Sequence, residues 1–340
     1  MTAPFAIPPS EPVRVLSRKD VERVLDLSSC IDAVEAALRA AAADRARSAI
    51  LGLHASDGGL HGKAAYLEDD GEESRASWFV AKLNSNFPGN PARFGLPTIQ
   101  GVLALFDGRC GRLVALMDSA ALTVLRTAAA TGVAARHLAR PAASSVTIIG
   151  CGVQAFAQIH AVSLVRPIRR VVAIDALSSA ADRLATRVRS EIGIDATARA
   201  VARGEPHETD IVITCTPSRK PILAVHDILP GTFIAAVGAD NEDKSELDPQ
   251  LMATADIVVD SLSQASTIGD LHHALAAGTV TLDQVRGELG TLLSRSPYVP
   301  PDPRRTVIFD STGVAVEDVA AAVIAFRRAT EADLGVQVVL

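Results

Sequence analysis

The chain has 340 residues, more than one ordinary domain holds, so two domains are expected. Its 33 basic and 39 acidic side chains are well mixed and leave a net charge of −6, which excludes both the basic stripe of a nucleic-acid binder and a charge-driven acidic tail. Aromatic residues make up 4%, too few for base-stacking platforms, whereas 48% hydrophobic residues suffice for sizeable cores.

The first dozen residues are Pro-rich and read as loose. Ser17 and Asp20 resemble a helix start, and Ile31, Val34, Ala37, Leu38 and Ala41 recur at helical spacing. Helix is therefore expected from about residue 17 to the mid-forties, with a break near Ser28 and Ser29. Residues 62–67, 77–84 and 99–106 read as strands, interrupted by the turn-rich NFPGNPARFGLP. The Ala- and Leu-rich segment Leu122–Ala139 predicts a long helix. From Ser145 onward the near-continuous apolar runs VTIIG, VVAID, IVITCT, TFIAAVG and DIVVD alternate with helical stretches. That pattern means a parallel sheet covered on both faces. The stretch SPYVPPDPRR at 296–305 reads as a loop, followed by TVIFDSTG and the helical VAVEDVAAAVIAFRRA. The last of these is too apolar to stand alone and is expected to return to the first domain. The fold class is then α/β, a Rossmann-type doubly wound sheet plus a discontinuous α+β substrate-binding and dimerisation domain. The boundaries are 1–125 with 308–340 for the substrate-binding part and 126–307 for the nucleotide-binding part.

The most informative segment is SVTIIGCGVQA, Ser145 to Ala155. A short apolar strand stops at Gly150-Cys151-Gly152, and a helix-like segment begins at Gln154. Twenty residues after Ala155, Asp175 closes the next strand. Strand, glycine turn, helix, strand and acid in that order form the dinucleotide fingerprint. Gly150 makes the tight turn, and Gly152 lets the backbone approach a pyrophosphate at the helix start. Asp175 accepts from a ribose diol and repels a 2′-phosphate, which points to NAD over NADP.

The four cysteines, Cys30, Cys110, Cys151 and Cys215, form no CxxC pair, and the eight histidines show no metal-ligand spacing. Reduced thiols and no metal centre are expected. The N-terminus lacks the basic start and apolar core of a signal peptide, and no apolar run reaches membrane-spanning length. The sequence reads as a soluble cytoplasmic protein with neither nucleic-acid nor membrane partners.

Several charged residues sit where a packed fold would not choose them. Lys82 lies inside the apolar strand WFVAKLN, Arg126 inside the apolar helix ALTVLRTAAA, and Arg47 just before AILGL. Buried cations are costly unless paired. A substrate carboxylate meets that need, with the arginine fork making two parallel bonds and the lysine adding a point charge. Pairing with structural acids is the competing reading. Asp240 follows the strand TFIAAVGA, whose carboxyl end opens onto the cofactor crevice, and can move a proton there. Capping of the turn ADNED is its alternative role.

The motifs IIGCGVQA, GLPTIQG, MDSAALTVLRTAAAT, AVGADNEDKSELDP and FDSTGVAVED, in this order from about Arg47 to about Phe326, resemble the ornithine cyclodeaminase/mu-crystallin family. The resemblance implies an NAD-dependent homodimer. It assigns Arg47, Lys82 and Arg126 to a carboxylate clamp and Asp240 to catalytic acid/base work. It assigns Thr98, Arg126, Val153, Gln154, Asp175, Thr216, Val237, Lys244 and Ser311 to the cofactor, and Thr312 to the amino-acid side chain. Mu-crystallin-like members lack the acid at the Asp240 position, so the chain resembles the enzymes more. One departure is Lys63-Ala64 in HGKAAYL, where many members carry Met-Pro. Facing the pocket, Lys63 favours a second carboxylate or a keto-acid partner; facing water, it does neither.

These residues predict hydride transfer at the α-carbon of a small L-amino acid or its imine, the work of an amino-acid dehydrogenase or imine reductase. Ornithine or lysine cyclodeamination, with ammonia released and NAD recycled, is the close alternative. A crystallin-like cofactor-gated binding protein is the third.

Overall fold

The computed structural model describes residues 11–68, 76–200, 207–295 and 302–340. The expected loose start up to residue 10 and the 296–301 part of the expected loop lie outside the described residues.

Two sheets organise the chain. The first has seven strands, in the order Val336–Val338, Val13–Leu16, Leu113–Asp118, Ile99–Asp107, Ser77–Asn86, Gly58–Glu68, Ala46–Ala55. All neighbours are antiparallel except Val13–Leu16 with Leu113–Asp118. The three strands expected here are present, and four more join them. One of the four is Ala46–Ala55, in the stretch that holds Arg47. The predicted N-terminal helix is two helices, Arg18–Val24 and Leu27–Ala42. Their break falls at Leu25-Asp26, a little before the expected place, because the Asp26 carboxylate caps the second helix at the Ser29 amide, 2.9 Å.

The second sheet has eight strands, all parallel, in the order Val285–Glu288, Asp256–Val259, Val307–Asp310, Phe233–Ala236, Ile211–Thr214, Ser145–Ile149, Arg170–Ile174, Asp195–Arg199. The chain enters at Ser145–Ile149, builds two strands to one side, then returns to build on the other. The order thus reverses between Ser145–Ile149 and Ile211–Thr214, where a doubly wound sheet opens a ligand crevice. Val307–Asp310, which spans the expected boundary at 308, pairs within this sheet.

Helices Leu27–Ala42, Ser119–Leu138 and Ala315–Glu331 pack together between the sheets. Ser119–Leu138 starts at Asp118, whose carboxylate takes the amides of Ala120 and Ala121 at 3.1 and 3.0 Å. Ala315–Glu331 returns from the parallel sheet to cover the inner face of the seven-stranded one, as expected. Both helices are buried over most of their length, and small alanine side chains let them approach closely. Among the described residues no helix is long and apolar enough to cross a membrane, and no group of His, Cys, Asp and Glu is placed to hold a metal.

Candidate active site

The carboxyl ends of four neighbouring parallel strands form one row. Gly150 follows the first, Cys215-Thr216 the second, Val237-Gly238 the third and Ser311-Thr312 the fourth. The row is tight. A methyl group on Gly150 would meet Thr216 Cγ2 at 2.7 Å, and the Ser311 amide donates to the Ala236 carbonyl at 2.9 Å. Gly150 also has φ of +96°, a conformation that L side chains rarely adopt.

Gly152 has open space where a side chain would stand, and the helix Ala155–Val165 starts at Gln154 without a side-chain cap. Amides of its first turn are left to a ligand, and an anion is the natural one. Neighbouring Val153 is exposed. Asp175 accepts from the Cys151 amide at 2.7 Å and from the Leu177 amide at 2.8 Å. The carboxylate is therefore fixed beside the glycine turn, with lone pairs left for a ribose diol. Burial pushes the Cys151 thiol up to about 12, so it is no nucleophile. These residues fit a dinucleotide.

The seven-stranded sheet contributes from the other side. Lys63 and Lys82 are direct cross-strand partners on its inner face, together with Leu103 of the next strand. Lys82 is buried and pairs with Asp318, its Nζ lying 2.7 and 2.8 Å from the two carboxylate oxygens. Burial pushes its ammonium down to about 8 against the pull of Asp318. Arg126, also buried, pairs through Nη1 with Glu317 at 2.7 Å and through Nε with Asp318 at 3.0 Å. The first turn of Ala315–Glu331 thus supplies an acid to each of these two cations, the pairing that competed with a substrate carboxylate. Two acids inside the apolar VAVEDVAAAV were the available signal. Arg126 also lies against Gly313: a methyl there would meet Nη1 at 2.6 Å. Lys63, half-buried, points inward and donates to the carbonyls of Thr312 and Gly313, so it does not face away into water.

Asp260 ties this segment down, accepting from the Thr312 hydroxyl at 2.8 Å and the Gly313 amide at 2.6 Å. Lys63, Lys82, Arg126, Ser311 and Thr312 therefore meet at the end of the parallel strand Val307–Asp310, with Val237 on the adjoining strand end. Beyond Thr312, a cleft of about 600 Å³ opens between Ile50, Val314, Gln264, Asp260 and Glu288.

Asp240 stands on the turn after Phe233–Ala236, exposed, and pairs with Lys244 Nζ at 2.7 Å. Lys244, expected on the cofactor, thus holds the expected proton carrier. Glu246, two residues on, was missed. Fully buried, it accepts from the Thr214 hydroxyl, the Thr216 amide and hydroxyl and the Gly238 amide at 2.6–2.8 Å. It pins together the two strand ends beside the cofactor crevice. Burial pushes its carboxyl up to about 7.

Two expected residues are not brought to this place. Arg47 pairs with Tyr66 and, through it, lines up with Phe79 and Phe106, one step out of phase with Lys63 and Lys82. Successive strand residues alternate faces, so Arg47 is exposed on the outer face. Thr98 sits at the far end of Ser77–Asn86, its carbonyl accepting from the Phe87 amide at 2.9 Å, and among the described residues it makes no hydrogen bond to the nucleotide-binding half. The inner face instead offers His61, cross-strand from Asn84, with the His54 ring 6.0 Å away and perpendicular to it.

The sequence that carries this glycine-cornered crevice and cationic cluster matches the model of the ornithine cyclodeaminase/mu-crystallin family over residues 12–333. The chain belongs to the ornithine cyclodeaminase/mu-crystallin family. Within this family it is 33% identical over 322 residues to an alanine dehydrogenase of Archaeoglobus fulgidus, covering 94% of this chain and 96% of the relative. It is 32% identical over 312 residues to an iminosuccinate reductase of Paracoccus denitrificans, covering 91% and 94%. An archaeal alanine dehydrogenase dimer with bound NAD has the same fold, with a TM-score of 0.89, 32% identity and coverage of 96% of this chain and 99% of that one.

Proposed function

We propose that the chain transfers hydride between NAD and the α-carbon of a small L-amino acid, or reduces the matching imine, in the crevice between the two sheets. The observation that carries this reading is the junction at Gly313, where Arg126 and Lys63 reach the strand ends that border the nucleotide crevice. Bound NAD supplies the hydride acceptor, held by the Gly150–Gln154 turn, by Asp175 and by the strand ends at Thr216, Val237 and Ser311. The cationic cluster fixes the substrate by its carboxylate and so aims Cα–H at the crevice; such orientation supplies a large share of a rate enhancement. Asp240, exposed on a turn and held at one oxygen by Lys244, takes a proton from the substrate nitrogen or from water and returns it.

Cyclodeamination is the second reading. It is favoured by the cleft beyond Thr312, whose lining includes Asp260 and Glu288 and neither Lys nor Arg. Such a lining suits a distal ammonium. One assay separates the readings: incubation with NAD and a panel of L-amino acids, following NADH absorbance and ammonia together. Both rise for a dehydrogenase. Ammonia alone, with ornithine or lysine, marks a cyclodeaminase. Neither signal refutes both and leaves a binding protein.

The quaternary proposal is a homodimer through the outer face of the seven-stranded sheet. Leu51, Leu83 and Val102 form one row across that face, about half exposed at 50, 42 and 42%. Phe79 adds to the patch, and Arg47 stands at its margin. An apolar patch spread over three strands marks an interface. Sedimentation at micromolar concentration tests it, and a monomer would refute it.

A further inference from the structure

Glu246 is fully buried, and among the described residues no cation forms a salt bridge with it. A charge so placed is costly, and an apolar side chain of similar size would pack more cheaply. What the carboxylate does is accept. Oε1 takes the Thr216 amide at 2.6 Å and the Thr216 hydroxyl at 2.7 Å. Oε2 takes the Gly238 amide at 2.8 Å and the Thr214 hydroxyl at 2.7 Å. Between these two strands the ladder runs out at the Val237 amide, which donates to the Thr214 carbonyl at 2.9 Å; beyond it one side chain ties the strands together. Gly238 makes room for this, since a methyl there would meet Glu246 Oε1 at 2.5 Å and the Thr216 carbonyl at 2.4 Å.

Gly238 and Glu246 are also the two ends of the turn that carries the exposed Asp240. Within the turn, Asn241 Oδ1 accepts from the Asp243 and Lys244 amides at 3.1 and 3.2 Å, and the Lys244 ammonium meets Asp240. The far end is anchored from the helix Gly269–Ala276. There Asp270 accepts from the Glu246 and Leu247 amides at 2.8 and 2.9 Å, and His273 Nε2 lies 2.8 Å from the Lys244 carbonyl. A carbonyl only accepts, so that nitrogen carries the proton. The near end, Gly238, is held to the far end by the Glu246 carboxylate. Residues 238–246 are thus closed into a loop. The same carboxylate hooks the loop to Thr216, on the strand next to the one that leads into the glycine turn.

We infer that Glu246 is the positioning residue for Asp240: it closes the 238–246 loop against Thr216 and so sets where the Asp240 carboxylate stands relative to the strand ends proposed to hold the cofactor. The inference rests on the proposed role of Asp240 in proton transfer and adds the group that aims it. Having no exposed surface, Glu246 can touch neither substrate nor cofactor; it acts through the Gly238 and Thr216 main chain.

Glu246→Gln is the sharp test. Each carboxylate oxygen faces one main-chain amide, and an amide N–H only donates, so either flip of a glutamine sets its NH2 against an N–H. The loop is unhooked while side-chain size stays the same. Asp240 then shifts by about 1 Å, and kcat for the amino acid is expected to fall on the order of 100-fold. NAD affinity stays within about fivefold, because the Gly150–Gln154 turn and Asp175 lie outside the loop. The double variant Asp240→Asn with Glu246→Gln is expected within about threefold of Asp240→Asn alone, since the two losses share one cause. Losses that multiply overturn the inference. Hydrogen exchange read by mass spectrometry on the NADH complex needs no turnover. Peptides spanning 238–246 are expected to exchange about tenfold faster in Glu246→Gln, and unchanged exchange overturns the inference. If Glu246→Gln does not fold, Thr214→Val removes one of the four donors and leaves the carboxylate. It is expected to speed the same exchange and to lower kcat about tenfold in the wild-type background but not in Asp240→Asn, and equal losses in both overturn the inference. A loop that loosens in Glu246→Gln, in a protein that moves no hydride for any amino acid, would instead sink the proposed reaction and leave the loop closure standing.

Discussion

Gly313→Ala tests the junction on which the site depends. Gly313 has φ of +77°, so an alanine there carries a left-handed strain of about 1–2 kcal/mol before it touches anything. Its methyl group would then meet Arg126 Nη1 at 2.6 Å and Nη2 at 3.2 Å, where ordinary contact begins near 3.4 Å. Glu317 and Asp318 hold the guanidinium from its other edges, and both are fully buried. The clash must be relieved by shifting the fork or the 312–314 backbone by most of an ångström. A misplacement of about 1 Å costs on the order of 100-fold in rate, or about 2.7 kcal/mol. We expect kcat/KM for the amino acid to fall about 100-fold, while NAD, bound mainly by the Gly150–Gln154 turn and Asp175, keeps its affinity within threefold. Calorimetry for NAD and initial rates by NADH absorbance measure both. Turnover within twofold of wild type would refute the claim that Arg126 is seated against Gly313.

Asp240→Asn should lower kcat at least 100-fold with NAD affinity retained, since the amide still bonds Lys244 but carries no proton; unchanged turnover removes Asp240 from proton transfer. Asp175→Ser should reduce the preference for NAD over NADP at least tenfold and also weaken NAD, because the Cys151 and Leu177 amides lose their acceptor. An unaltered ratio in competing cofactor assays argues against the ribose contact. Lys82 gives a pH dependence with two signs. Above about pH 8 it loses its charge, Asp318 keeps Arg126 as its only cation of the pair, and the cluster becomes less positive, so affinity for propionate, an unreactive carboxylate, falls as pH rises. Its folded pKa lies below the ordinary lysine value of 10.5, so the unfolded state binds more protons between about 8 and 10.5 and the Lys82 contribution to stability rises with pH there. Denaturant melts of wild type against Lys82→Met across that window check the second sign, and flat propionate affinity from pH 7 to 9.5 refutes the first.

What could be read from the residues divides by distance along the chain. The cofactor turn was legible because its strand, glycines, helix start and acid all fall within the thirty-one residues from Ser145 to Asp175, and local spacing dictates their geometry. The cationic cluster was legible only as a list of misplaced cations. Its counter-ions lie 191 residues from Arg126 and 236 from Lys82, and pairing over such spans leaves no periodic trace. Arg47 shows the sharper failure. The side on which a strand residue points follows from register, and register follows from the hairpin turn. That turn is Ser56-Asp57, closed by the pair Ala55 and Gly58, and the two-residue connection sets Arg47 opposite Tyr66 and Ile50 opposite Lys63. The Asp-Gly step in HASDGGLH is a turn signal, but the turn falls one residue earlier, on Ser56-Asp57, and no register can be read until AILGL is recognised as a strand, which its run of apolar residues without alternation hides. The run is unalternating because both faces are apolar: Ile50 looks into the cleft beyond Thr312, while Leu51 joins the outer patch proposed to meet a second copy. The register of this hairpin, not the kind of cation, is what turns Lys63 inward and Arg47 outward.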